Sequence, residues 1–171
     1  AEIFAAKGEL SKALKICQDN LALLSQDWFF DTLLENPPAN QWNQGIYAIP
    51  VLRSKAKFLR ASFKISQKEE ELIASLDAYE KCMSLISFLR KNFKSGESTL
   101  LLAEISSPAL EEALEVAFSL YKNENKESYL QSALKFMELN KAALLEAEMK
   151  DALAKGELDI ADEIREKEKD L

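Results

Sequence analysis

Lys68-Glu69-Glu70-Glu71-Leu72-Ile73-Ala74-Ser75-Leu76-Asp77-Ala78-Tyr79-Glu80-Lys81-Cys82-Met83-Ser84-Leu85-Ile86-Ser87-Phe88-Leu89-Arg90-Lys91-Asn92-Phe93 is the stretch that decides the fold. Leu72, Leu76, Tyr79, Met83, Ile86 and Phe93 recur at alternating steps of four and three, broken only at Arg90. A helical turn of about 3.6 residues gathers such positions on one face, so the spacing predicts an amphipathic helix whose seam packs on another helix. Glu69, Glu70 and Glu71 fall in its first turn, where the helix dipole favours negative charge. Lys94-Ser95-Gly96 offers a cation and a glycine as the stop.

Working outward, the same period predicts helices on both sides. Downstream, one runs from Ser98 to about Lys122, with Pro108 inside it. Proline removes a backbone donor and crowds the preceding turn, so a kink or a restart capped by Ser107 is expected there. After the turn Asn123 to Asn125, a helix follows from Lys126 to Lys155, with an inner stripe that includes Tyr129, Ala133, Phe136, Met137, Asn140, Leu144 and Leu145. Gly156 stops it, and a charged amphipathic helix follows through Leu158, Ala161, Ile164 and Leu171.

Upstream, Leu52, Ala56, Leu59 and Phe63 mark a helix over 51–66, with Phe58 and Ile65 beside its face. Residues 25–50 break the pattern with Pro37-Pro38, Gly45 and Pro50, and carry Trp28, Phe29, Phe30 and Trp42. This reads as a long aromatic-rich loop, whose large side chains favour packing onto the body. Residues 9–24 form another amphipathic helix through Leu10, Ala13, Leu14, Cys17, Leu21 and Leu24, and a short helix covers 2–7. The opening half of this first hairpin is expected upstream of Ala1.

Composition agrees with this reading. With 47% hydrophobic and 30% charged residues, the chain is too apolar for disorder, and four Gly and four Pro are too few for a turn-rich sheet. An excess of 29 Asp plus Glu over 22 Lys plus Arg, interleaved along every segment, argues against a nucleic-acid surface. No apolar run approaches the roughly 20 residues needed to span a bilayer. Cys17 and Cys82 occupy core phases, which predicts buried free thiols, a reducing compartment and so the cytoplasm.

An internal repeat emerges when the second helix of each hairpin is superposed. Ala13 to Cys17, Ala78 to Cys82 and Ala133 to Met137 each place a small residue four positions before a soft apolar one. The small residue lets helices approach and the larger one fills the next gap. The fold class is therefore all-α, stacked antiparallel hairpins of a degenerate tetratricopeptide-like solenoid over 1–155, with 156–171 a charged helix leading to a further domain. The intervals exceed the standard repeat, so the repeats are stretched.

Leu114 to Tyr121, Tyr129 to Leu134 and Phe136 to Leu145 resemble the last tetratricopeptide repeats before the peptidase of bacterial CHAT-domain, caspase-like proteins. Glu138, Lys141, Ala142 and Leu145 match that family's pre-peptidase segment of glutamate, x, serine, lysine, alanine, x, x, leucine, while Asn140 stands where serine is usual. The family's continuation, a proline-containing stretch and then a charged helix, is half matched: Ile160 and the run to Leu171 resemble it, but no Pro is present. The resemblance implies that a peptidase follows Leu171 and that this chain is its non-catalytic array.

The chemistry of the residues points the same way. The chain has no histidine, which excludes a Cys-His dyad, a Ser-His-Asp triad and histidine-based zinc or di-iron motifs. Glu69 to Glu71, and Glu111, Glu112 and Glu115, read as solvated helix faces rather than an acid-base pair or hard-metal site. No glycine-rich phosphate cradle follows a strand, and no cofactor or metal is called for. The expected function is protein or peptide binding in a helical groove, coupled to an adjoining domain. A structural or self-associating spacer is the alternative. Glu138, Lys141 and Leu145, at helical spacings of three and four, form the candidate docking strip.

Overall fold

A computed structural model describes residues 1–25, 28–38, 42, 45–92, 96–142, 145 and 149, with side chains for all of these except 92, 96–101, 103 and 104. The described residues are helical throughout apart from the stretch between α2 and α3. The elements are α1 (Glu2–Ala6), α2 (Leu10–Leu24), α3 (Gly45–Ser66), α4 (Glu69–Asn92), α5 (Gly96–Glu124) and α6, which covers 127–142. Leu145 and Met149 are also helical. The only β feature among described residues is an isolated antiparallel bridge between Ser25 and Trp42. The expected helix from Leu158, and the far part of the one expected to reach Lys155, lie outside the described residues.

Helices pack mainly against their neighbours in sequence: α1 on α2, α2 on α3, α3 on α4 and α4 on α5, with α3 also meeting α5. The turn chemistry enforces this order. Gly8, Gln67 and Asn125 all adopt the left-handed conformation, which reverses the chain directly after a helix. In two of these turns the left-handed residue is a side-chain amide followed by Lys-Glu: Ser66-Gln67-Lys68-Glu69 and Glu124-Asn125-Lys126-Glu127. At the first, the Gln67 N–H donates to the Phe63 carbonyl at 2.8 Å. Glu71 accepts the hydroxyls of Ser62 and Ser66, and Ser66 Oγ accepts the Lys68 N–H. The first turn of α4 is thereby tied to the last turn of α3.

The α4 seam is buried where the spacing puts it: Leu72, Leu76, Tyr79, Met83 and Ile86 are each no more than 5% exposed. Ser75, Ala78, Cys82 and Leu85 are buried too, because α3 and α5 cover α4 from two sides. Phe93 lies outside the described residues. One cluster runs from Leu21 through Ile49, Tyr79 and Leu120 to Phe136, and a second joins Leu14 and Cys17 to Phe58 and Leu59. Both cysteines are free and buried.

Three readings of Pro and Gly need correction. The helix placed at 51–66 starts six residues earlier, at Gly45, with Pro50 inside it. So early in the helix, proline sacrifices one backbone bond, which burial of Ala48, Ile49 and Leu52 offsets. The loop is correspondingly shorter than 25–50. Gly45 serves close packing, since a Cβ there would lie 2.8 Å from Leu85 Cδ1. Gly96 begins α5 and does not follow α4 as a cap. Of the kink or restart expected at Pro108, the restart does not occur, as α5 is continuous from Gly96 to Glu124.

The loop packs on the body. Trp28 and Trp42 are half-buried against the larger cluster, and Leu33 and Leu34 against the smaller. Three polar side chains hold this strap. Gln18, fully buried on α2, donates to the carbonyls of Thr32 and Glu35 at 3.3 and 3.0 Å. Lys55 of α3, also fully buried, donates to the same Glu35 carbonyl. Asn36 donates to Ala74 O and to Asp77 Oδ2 on α4.

Candidate docking groove

Two places gather chemistry-bearing side chains outside the strap, and they differ in kind. The first is polar. Arg53 on α3 grips Glu112 on α5 through both its Nε and Nη2, at 2.8 and 2.7 Å, and the Tyr79 hydroxyl of α4 donates to Glu112 at 3.2 Å. Lys57 lies 3.9 Å away, and Arg60 pairs with Glu115 at 2.6 Å. Glu112 is therefore no solvated helix face, because its place beside Ala109, Ala113 and Val116 turns it towards α3.

The charges settle what this cluster can do. Burial opposes ionisation of Glu112, but the Arg53 bonds, Lys57 and the Tyr79 hydroxyl together outweigh it and hold the carboxyl below its ordinary value. Glu112 in turn raises Arg53. Burial pushes the Tyr79 phenol well up. A general acid needs a raised carboxyl, so this group is locked as a clamp across three helices. Burial also pushes the thiols up, Cys17 to about 11 and Cys82 to about 12, which removes thiolate character at neutral pH. Among the described residues, no group of three or more His, Cys, Asp or Glu is placed to hold a metal ion.

The second place is apolar: a groove of about 470 Å³ between α5 and α6. Phe136 and Leu110, at 1% and 2% exposure, make its floor. Leu114 and Met137 are its walls, and Glu111 and Lys141 stand on opposite rims. Asn140 faces the groove with its Oδ1 withdrawn from water and without a hydrogen-bond partner. Leu145 closes one end. The α6 wall continues as a bare apolar stripe of Leu134, Met137, Leu145 and Met149, each at least half exposed.

Of the strip expected from the sequence, Lys141 and Leu145 line the groove, while Glu138 is exposed outside it. Sequence reasoning missed Leu110, Glu111 and Leu114, which come from the preceding helix. Met137 was placed on an inner stripe by its period. It is half exposed because no described element covers that side of α6. The equivalent Cys17 packs with Phe58 and Leu59 of α3, and Cys82 lies against α3 as well, its Sγ 3.8 Å from the Ile49 carbonyl. Another hollow, lined by Ala22 and Leu23 of α2 and by Trp28, Phe29 and Phe30, draws one wall from the loop. The α5/α6 groove has two helical walls.

No family model, no curated protein and no solved structure matches this chain. Among the described residues, no helix is long and apolar enough to cross a membrane.

Proposed function

We propose that this chain is a non-catalytic protein-interaction module, built as consecutive hairpins of degenerate tetratricopeptide type, whose α5/α6 groove receives a segment of another protein. The observation that carries this reading is the groove itself. Its floor is Phe136 and Leu110, and it opens onto the exposed apolar side chains of Leu134, Met137, Leu145 and Met149. Contiguous exposed apolar surface rimmed by charge is the signature of a docking face. The repeated turn after α3 and after α5, and packing between successive helices, support the hairpin-array reading.

The context proposed is the N-terminal array of a larger CHAT-type peptidase in the bacterial cytoplasm. Its support is the resemblance of Glu138, Lys141, Ala142 and Leu145 to the pre-peptidase segment, together with the two free buried thiols. Lys141 and Leu145 of that segment line the groove. A photo-crosslinking residue at position 137, compared with one at exposed position 15 on α2, tests the reading in the source cell. A discrete adduct identified by mass spectrometry from 137 and absent from 15 supports it. Equal labelling from both positions contradicts it.

A further inference from the structure

Resting on that docking reading, we infer that the occupant of the α5/α6 groove is an amphipathic helix of another protein, with a carboxylate facing Lys141. Length comes first. Leu134 and Lys141 are seven residues apart on α6, so the described wall spans about 10 Å, or roughly two turns of a helix laid alongside, with Leu145 and Met149 beyond it. Leu134, Met137, Leu145 and Met149 are spaced as a helix-helix contact requires, with Lys141 filling the one missing step.

Backbone chemistry then separates a helix from an extended peptide. An extended segment must find partners for its N–H and C=O groups, and α5 and α6 have already spent theirs within their own ladders. Pressed into this groove, such a segment would have only the side chains of Glu111, Asn140 and Lys141 to pair with and would bury its other polar groups unpaired. A helix satisfies its own backbone and offers only side chains.

Charge sets the register and excludes self-pairing. Among the described residues neither Lys141 nor Glu111 has an ionic partner. A cation in the middle of an apolar stripe favours a carboxylate opposite, and Glu111 on the other rim favours a cation. Two-fold pairing of the stripe on itself would bring Lys141, at its centre, against Lys141 of the other copy. The occupant is therefore a different sequence of opposite central charge.

The test uses the purified chain and a fluorescent, side-chain-bridged helical peptide of about 18 residues. It carries leucines at steps of three and four and one glutamate at the stripe's centre. A scrambled peptide of the same composition is the control. The stripe peptide is expected to bind at least about tenfold more tightly than the scramble, and Met137→Glu to remove that difference while Met137→Leu keeps it. Lys141→Glu should weaken binding about fivefold or more, and a peptide with lysine at its centre should restore it. Equal binding of stripe and scramble, or a Lys141→Glu effect that the swapped peptide does not reverse, overturns the inference. So does a dimer of the free chain, seen by sedimentation, that Met137→Glu dissolves. A crosslink from position 137 to a partner, with no preference for the helical peptide, would leave the docking reading standing and reject the helix alone.

Discussion

The two ends of the described fold treat their outer surface in opposite ways. Over α2 and α3 the chain lays down its own strap, residues 28–38, and buries Leu33, Leu34 and Pro37 beneath or within it. Over α5 and α6 no described segment does so, and Leu134, Met137, Leu145 and Met149 stay bare. The covered end accepts a burden for its closure: a fully buried ammonium on Lys55, and unpartnered acceptors on Gln18 and Asn36. Covering irregular backbone requires polar groups inside, since its carbonyls have no ladder partners. The bare end holds no buried ammonium among its described residues and one such acceptor, the Asn140 Oδ1. An apolar face left without a strap is thus what distinguishes the docking end.

The sharpest way to break this comparison uses adjacent residues on α6. Phe136→Ala removes a floor residue that is 1% exposed and should cost about 3 to 5 kcal/mol of stability. Met137→Ala, half exposed one position later, should cost less than about 0.5 kcal/mol in the free chain. Thermal or urea denaturation of both variants decides. Similar losses would show that Met137 is covered and the groove is not open.

Next in size is the clamp that joins α3, α4 and α5. Glu112→Gln removes a charge-assisted fork with Arg53, so a loss of about 1.5 to 3 kcal/mol is expected at neutral pH. Its carboxyl is held below the ordinary value in the fold, so its contribution is present above the unfolded value. It is lost as pH falls through the folded one. Acid titration of stability in wild type and variant should therefore converge at low pH, and curves that stay parallel would contradict the clamp.

How much of this was legible in the sequence depends on the source of each contact. The α4 seam and the α2 stripe are local periodicities, and Leu72, Tyr79, Ala13 and Cys17 are buried as their spacing requires. Lys55 also carries a local signal, since it sits in the buried phase between Leu52, Ala56 and Leu59. What receives its charge is a carbonyl twenty positions away, which no spacing reveals. Glu112 is the same case, in phase with Ala109, Ala113 and Val116 but paired from another helix. Gly45 and Pro50 read as loop residues because their types break helices, whereas close approach to Leu85 and burial of Ile49 outweighed that preference. In the groove, Lys141 and Leu145 were visible on one helix, and the α5 wall was not.

A smaller effect probes the covered end. Burial pushes the Lys55 ammonium down to about 8, against the opposing pull of Asp77, Cys17 and Glu35. Between that value and the ordinary 10.5 the unfolded chain binds more protons, so this residue makes stability rise with pH across the interval. Below pH 8 the burial of its charge opposes folding in full. Cys17 acts in the other direction above pH 9, because its thiol is raised to about 11. The stability difference between wild type and Lys55→Met isolates the lysine. It should be flat below pH 8 and shift in favour of wild type towards 10.5, and a flat profile throughout would contradict a buried ammonium.

Smallest is the optical signature of the strap. Trp28 and Trp42 are half-buried, so emission should lie between that of buried and fully hydrated indole and move to longer wavelength on unfolding. Emission already typical of water in the folded chain would mean that the strap does not cover its end.

The chain's three methionines allow the most direct measurement of the central claim: Met83 is 3% exposed in the core, while Met137 and Met149 lie on the bare stripe. With ¹³C-methyl-methionine labelling, their methyl resonances are followed as the stripe peptide is added. The account predicts that Met137 and Met149 shift together, saturating at one stoichiometry, while Met83 stays in place. Peptide binding that moves Met83 and leaves Met137 and Met149 unchanged would place the docking surface elsewhere and contradict it.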